Sequence, residues 1–240
     1  MDRTPYSKLA TYYDLGWGDF AESSRMFVES TLSEYGIKSG KILELACGTG
    51  ILAIHLARSG HSVLGVDRSS EMVAIASAKG RHVKGVDFTV ADMRTVKIDS
   101  SFDAALCMFD SLNYLVTLED VSETLESVSR LLRENGVFVF DFNRPLIYSA
   151  HNGETLIRHV EDGILHQGLQ YEVKQRIART VFRFPNGDVE THNQRAYEED
   201  EIRPLLEIAG LSLKNCFSDF NRRPVSAASE RIIYVCQQTG

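Results

Sequence analysis

Short apolar runs alternate with longer amphipathic stretches over the first 145 positions. Lys41-Ile42-Leu43-Glu44-Leu45-Ala46 is an apolar run closed by Gly48 and Gly50, and residues 51–57 continue with apolar side chains at helical spacing. Residues 61–66 read as a second strand and 70–79 as a second helix. Residues 87–91 and 102–109 read as the third and fourth strands, 118–133 as an amphipathic helix, and 136–142 as a fifth strand entered through Asn135-Gly136. Strand and helix in alternation predict a parallel sheet covered on both faces. The nearly unbroken apolar strands agree, because both faces of such strands are buried.

After Pro145 the pattern changes. Residues 155–195 alternate polar and apolar positions around turn signals at Asp162-Gly163 and Pro185-Asn186-Gly187-Asp188. This predicts a small antiparallel insertion over 151–197, one face of which is free to cover something, set into a core formed by 1–150 and 198–240. Residues 198–209 read as a helix stopped by Gly210. Two last strands, 211–218 and 231–236, are too close together to enclose a crossover helix and should pair antiparallel.

Charge and composition narrow the partners. With 26 Lys and Arg against 33 Asp and Glu, the net charge is −7 and no long basic run occurs, which argues against a nucleic-acid partner. Met1-Asp2-Arg3-Thr4-Pro5 lacks the apolar run of a secretory signal, and no apolar stretch is long enough for a membrane span. Cys47, Cys107, Cys216 and Cys236 show neither paired spacing nor a histidine at ligand spacing. Reduced thiols, three of them ordinary core residues, a cytoplasmic location and no metal are therefore expected. The chain is expected to be a monomer or homodimer.

The candidate chemistry lies at the strand ends. Glycines at 48 and 50 let the backbone turn sharply and approach a ligand with no Cβ in the way. Asp67, 19 positions after Gly48, closes the second strand where a carboxylate can accept both ribose hydroxyls. Gly48-x-Gly50-x-x-Ala53 followed by Asp67 also fits a dinucleotide fingerprint. Three features favour another nucleoside. Glu44 would repel a pyrophosphate but suits a cationic amine, Asp92 is a second acid suited to an adenine amine, and the chain closes with a hairpin instead of a second nucleotide-binding half.

On these residues the segment resembles the glycine-rich motif of class I S-adenosylmethionine-dependent methyltransferases, whose acidic-x-x-x-Gly-x-Gly pattern is met by Glu44, Gly48 and Gly50. The resemblance implies an α/β Rossmann-like sheet of seven mostly parallel strands with a C-terminal antiparallel hairpin, and an antiparallel β insertion after strand five. It implies S-adenosyl-L-methionine as cofactor, with Asp67 on the ribose, Met72 against the adenine, and Asp92 and Met93 at its amine. Tyr13, Ala46, Arg68 and Met108 complete the implied cofactor set. A narrower resemblance, to small bacterial sugar-amine and glycine N-methyltransferase-like enzymes, rests on Tyr12-Tyr13-Asp14, Asp110-Ser111-Leu112-Asn113-Tyr114, Asp141-Phe142-Asn143 and Arg195-Ala196-Tyr197.

The acceptor would then be a small molecule methylated on nitrogen or oxygen. Asp110, Asn113, Tyr114 and Asn143 are the catalytic candidates, since ligands of open α/β sheets lie beyond the strands' carboxyl ends; Asp110 and Asn113 equally suit capping of the next turn. Tyr6, Asp110, Asn143, Arg195 and Tyr197 are the substrate-binding candidates, with Tyr12, Tyr13 and Trp17 a possible lid. Arg195 suits an acidic substrate group or an acid of the adjacent Glu198-Glu199-Asp200-Glu201 run. His55, His61 and His82 read as surface residues, and His151, His159, His166 and His192 as structural. No general base is evident. The place after strand four lacks the prolines of a DNA base methyltransferase, and Asp110 with Asp141 does not make a metal cluster.

Overall fold

The computed structural model describes residues 5–240, apart from the side chains of residues 18–20 and 22; residues 1–4, on which the reading of the extreme N-terminus falls, lie outside the described residues. Five parallel strands, β1 (Lys41–Leu45), β2 (Ser62–Asp67), β3 (Val86–Val90), β4 (Phe102–Cys107) and β5 (Leu132–Asn143), are followed late in the chain by β10 (Leu211–Phe217) and β11 (Arg231–Gln238). They form one seven-stranded sheet in the order β10-β11-β5-β4-β1-β2-β3, with β11 antiparallel to both β5 and β10. The predicted α/β architecture is therefore present, closing hairpin included.

Helices α1 (Tyr13–Glu34) and α2 (Ile51–Arg58) cover one face, where Phe27, Val28 and Leu32 pack with Leu52 and Leu56 onto Ile42, Leu106 and Val139. On the other, α4 (Leu118–Leu131) and α6 (Glu199–Ile208) pack Val121, Leu125, Ile202 and Leu206 against Phe138, Phe140 and Tyr234. The remaining large helix is α3 (Ser70–Gly80). Ser69 starts it by accepting the Met72 amide at 3.2 Å, and Thr117 starts α4 by accepting that of Asp120 at 3.1 Å. Glu198 and Glu201 make a reciprocal cap at the start of α6, so the acidic run is more than a solvated helix end.

Among the boundaries that differ from the sequence reading, two shape the strand ends at the site. Strand four stops at Cys107 because Phe109 and Asp110 adopt φ of 64° and 50°, turning the chain sharply. Strand five starts at Leu132, four positions early, because a shift in register lets Leu132 pair with Phe102 before Val137 pairs with Ala104. A short helix α5 (Pro145–Ala150) then leads into the insertion.

The insertion is a separate antiparallel sheet, β6 (Thr155–Val160), β7 (Gly163–Glu172), β8 (Ile177–Arg183) and β9 (Val189–Arg195). Its apolar face, with Leu165, Phe182 and Phe184, receives Leu9, Tyr6, Tyr12 and Trp17 from the N-terminal segment. The segment is also fastened from below: Asp14 accepts from Thr49 Oγ1 at 2.6 Å and pairs with Lys79. The result is a roof of two separate pieces over the carboxyl ends of the parallel strands.

Candidate active site

The loop after β1 turns through three left-handed residues, Ala46, Gly48 and Gly50, with φ of 50°, 55° and 78°. The two glycines serve different ends. A Cβ on Gly50 would meet the Phe88 ring at 2.7 Å and Ala76 at 2.9 Å, so this glycine lets α3 and β3 close over the loop. A Cβ on Gly48 would meet only Tyr13, at 3.9 Å, and would project into open space. The Gly48 and Ser69 amides donate to the two oxygens of Asp67 at 3.0 and 2.9 Å, fixing that carboxylate at the end of β2.

A cavity opens at this point, lined by Tyr6, Tyr13, Glu44, Ala46, Gly48, Asp67, Arg68, Met72, Asp92 and Met93, all named from sequence. Glu44 is 3% exposed, and its Oε2 has no hydrogen-bond partner. Burial, with repulsion from Asp67, pushes its carboxyl to about 8 against a stabilising contact from the Ala53 backbone. Burial also raises Asp67, against the Ser69 and Gly48 amides. Two buried acids at one cavity, with only Arg68 set against Asp67, suit a ligand that carries positive charge. Asp92 instead lies below the usual carboxylate range, because Arg94 grips it with hydrogen bonds of 2.6 and 3.0 Å while also reaching Asp120 at 2.7 Å. The residues present thus fit a sulfonium nucleoside bearing an amino group.

A second cavity of about 330 Å³ adjoins the first and shares Tyr6, Tyr13, Trp17, Phe109 and Tyr114 with it. Its volume is in the range of small-molecule sites. Asp110 and Asn143, both named from sequence, line it with Tyr148, Gln194 and Arg231. Arg231 donates to Asp110 Oδ1 at 3.0 Å and pairs with Asp141 Oδ2 at 2.7 Å, and Gln194 Nε2 donates to Asp110 Oδ2 at 2.6 Å. Burial raises both carboxyls and Arg231 holds them down, leaving Asp141 at about 6. Arg158 Nε and Gln167 Oε1, also at this cavity, are buried without a hydrogen-bond partner.

Where the cavities meet, hydroxyls and a histidine form a chain. Tyr6 Oη lies 2.7 Å from Tyr114 Oη, which lies 2.8 Å from His192 Nδ1; His192 Nε2 lies 2.6 Å from Glu190 Oε1. The Glu190 carboxylate also accepts the amides of Tyr6 at 2.8 Å and Lys8 at 2.7 Å. Glu190 and His192 are alternate residues of β9, so both face the N-terminal segment.

Five sequence candidates fall elsewhere. Asn113 is fully buried and pins backbone, donating to the Asn143 and Arg195 carbonyls at 2.9 and 2.7 Å and accepting the Asn143 amide at 2.8 Å. Arg195 pairs with Glu201 at 2.6 Å and stacks on Tyr197, the internal alternative to an acidic substrate. Tyr197 is fully buried in the main core and donates to the Leu115 carbonyl. Met108 is core on the α1 side, and Gly50 lies beneath the loop. Asp110 caps nothing, since its side chain is committed to Gln194 and Arg231. His61 is buried, its Nδ1 accepting the Gly40 amide at 3.1 Å, rather than a surface residue.

Known proteins resemble this chain in sequence and in fold. A methyltransferase domain model matches residues 42–136. The Bacillus subtilis (strain 168) protein named "Putative methyltransferase YqeM" is 34% identical over 89% of this chain and 88% of its own. The chain belongs to the S-adenosylmethionine-dependent methyltransferases. A glycine/sarcosine N-methyltransferase of Aphanothece halophytica is 28% identical over 86% of this methyltransferase and 78% of its own length. The crystal structure of an S-adenosylmethionine-dependent methyltransferase from Clostridium acetobutylicum ATCC 824 superposes with a TM-score of 0.84 at 26% identity, covering 99% of this chain and 100% of that one.

Proposed function

We propose that this methyltransferase acts on a nitrogen or oxygen of a small polar metabolite held in the second cavity. The observation that carries the reading is the pair of contiguous cavities, one carrying the acidic strand-end residues and the other roofed by the N-terminal segment and the insertion. In the first, Glu44 would face the cofactor's amino group, Asp67 its ribose, and Met72 and Met93 its base. Bound there, S-adenosylmethionine supplies a methyl group on a positively charged sulfur.

The chain's own part is placement and exclusion of water. Tyr13 and Trp17 stack with ring centroids 5.7 Å apart and wall both cavities. The Asp110–Arg231–Asp141 group gives the acceptor cavity a fixed polar wall, and the unpartnered Arg158 Nε and Gln167 Oε1 are ready to receive polar groups of the acceptor. Relatives that include a glycine/sarcosine N-methyltransferase support an amine as first choice.

The test is transfer from methyl-labelled S-adenosylmethionine to glycine, sarcosine, a nucleotide-linked amino sugar and small hydroxy acids, beside tRNA and protein. Transfer to one of the small acceptors is expected. Label appearing only in nucleic acid or protein would overturn the reading.

A further inference from the structure

We propose that Tyr114, His192 and Glu190, completed by Tyr6, form a proton relay that takes up the proton released by the methyl acceptor. The proposal rests on the second cavity being the acceptor site. Tyr6 and Tyr114 are among the residues common to both cavities, so their hydroxyls stand where an acceptor atom must meet the methyl group. Behind them His192 and Glu190 are 2% and 4% exposed, and no bulk water is at hand to take a proton.

Hydrogen bonding fixes the direction of transfer. Burial raises the Glu190 carboxyl, but the His192 ring and the Lys8 and Tyr6 amides outweigh it, so Glu190 is ionised and can only accept. His192 Nε2 then carries the proton shared at 2.6 Å, and whenever the ring holds that proton alone its Nδ1 is an acceptor facing Tyr114 Oη at 2.8 Å. The Tyr6 and Tyr114 phenols are both held well above their usual range, by burial first; Tyr114 raises Tyr6 further, and Asp110 raises Tyr114 against the hydrogen bond from Tyr6, so they pass a proton along without remaining ionised. The groups facing the imidazole are Glu190 on its own strand, Tyr114 from the turn after β4, Tyr6 from the N-terminal segment, and the uncharged Phe182 and Thr180 on β8. Asp110 stands one shell further out, against Tyr114.

The step balances. The acceptor's electron pair forms the bond to the methyl carbon, the pair of the broken carbon–sulfur bond stays on sulfur, and one proton on the acceptor atom becomes surplus. It passes to Tyr114 Oη as the Tyr114 proton moves to His192 Nδ1, or to Tyr6 Oη as the Tyr6 proton moves to Tyr114 and that of Tyr114 to His192 Nδ1, giving an imidazolium beside the Glu190 carboxylate. Opening of the roof returns it to solvent. Because the Glu190 carboxylate also holds the Tyr6 and Lys8 amides, the relay is complete only with the N-terminal segment in place.

The first measurement is the 15N spectrum of histidine-labelled protein saturated with S-adenosylhomocysteine, His192 being assigned by its loss in His192→Asn. Protonation on Nε2 with Nδ1 free of a proton, and ring-nitrogen shifts that change in Tyr114→Phe, are expected. Protonation on Nδ1, or no response to Tyr114→Phe, would overturn the relay. The second is transfer to glycine, sarcosine or the amino-sugar nucleotide. His192→Asn should lower kcat about 10²- to 10³-fold near pH 7, the loss shrinking as pH rises, with KM for S-adenosylmethionine within about twofold. An equal loss at every pH, or none, refutes it. Failure of all three acceptors in the wild type counts against the proposed function alone, and the ring-nitrogen result still decides the relay.

Discussion

Binding of the cofactor should expel a proton from Glu44. This carboxyl is buried, has no cation beside it, and titrates at about 8 in the ligand-free protein. At pH 7 the neutral form is therefore favoured about tenfold, and holding the charged form costs about 1.4 kcal/mol. A cationic amino group at hydrogen-bond range favours the charged form, and a drop to about 6 or below would leave only about a tenth of the carboxyl neutral. The complex should thus release about 0.8 proton at pH 7, and affinity should rise about five- to tenfold between pH 6 and 7. That window lies below the titration of the cofactor's own α-amino group, near 7.7 to 8.0. Calorimetric titration in buffers of different ionisation enthalpy counts the protons. Glu44→Gln should release none from this site and bind with little pH dependence between 6 and 7. Equal release by the wild type and Glu44→Gln would refute the assignment of Glu44 to the cofactor's amino group.

The same carboxyl bears on stability: raised in the folded state from an ordinary 4.5 to about 8, it favours folding at low pH and loses that contribution as pH rises. Ligand-free wild type should lose about 2 to 3 kcal/mol between pH 5 and 7 in chemical denaturation relative to Glu44→Gln. The two glycines should separate. Both substitutions to Val carry the backbone strain of a side chain at positive φ, about 1 to 2 kcal/mol. Gly50→Val adds about 1 to 3 kcal/mol through overlap with Phe88 and Ala76, whereas Gly48→Val adds no overlap and abolishes cofactor binding by calorimetry. Tyr197→Phe strips a buried hydrogen bond to Leu115 and should cost about 1 to 2 kcal/mol in denaturation while KM for either substrate stays unchanged. Arg231→Met leaves Asp110 and Asp141 buried without their cation and should cost about 3 to 5 kcal/mol, most severely above pH 6, where Asp141 ionises.

The cofactor half was legible because its determinants are local. Glu44, Gly48, Asp67 and Asp92 each follow directly from a strand whose apolar run can be read unaided, and the parallel sheet brings those strand ends together. Even there a local reading merged two glycines that packing separates, since Phe88 and Ala76 lie 38 and 26 positions beyond Gly50. The acceptor half resisted for the opposite reason. Arg231 meets Asp110 across 121 positions, Tyr114 meets His192 across 78, and Tyr6 meets Glu190 across 184. No spacing rule links such residues; the one local signal was the alternation Glu190-x-His192, two polar residues of a strand turned to the same face. Arg195 and Tyr197 drew attention through the narrower resemblance and their place before the late helix, and packing spent both inside the protein. On the proposed function, substrate choice would reside in contacts between segments far apart in the chain. A roof made of the N-terminal segment and the insertion can exchange its polar groups while the strand-end acids and the glycine loop stay as they are. That separation explains how a single sequence can declare its cofactor plainly and its acceptor hardly at all.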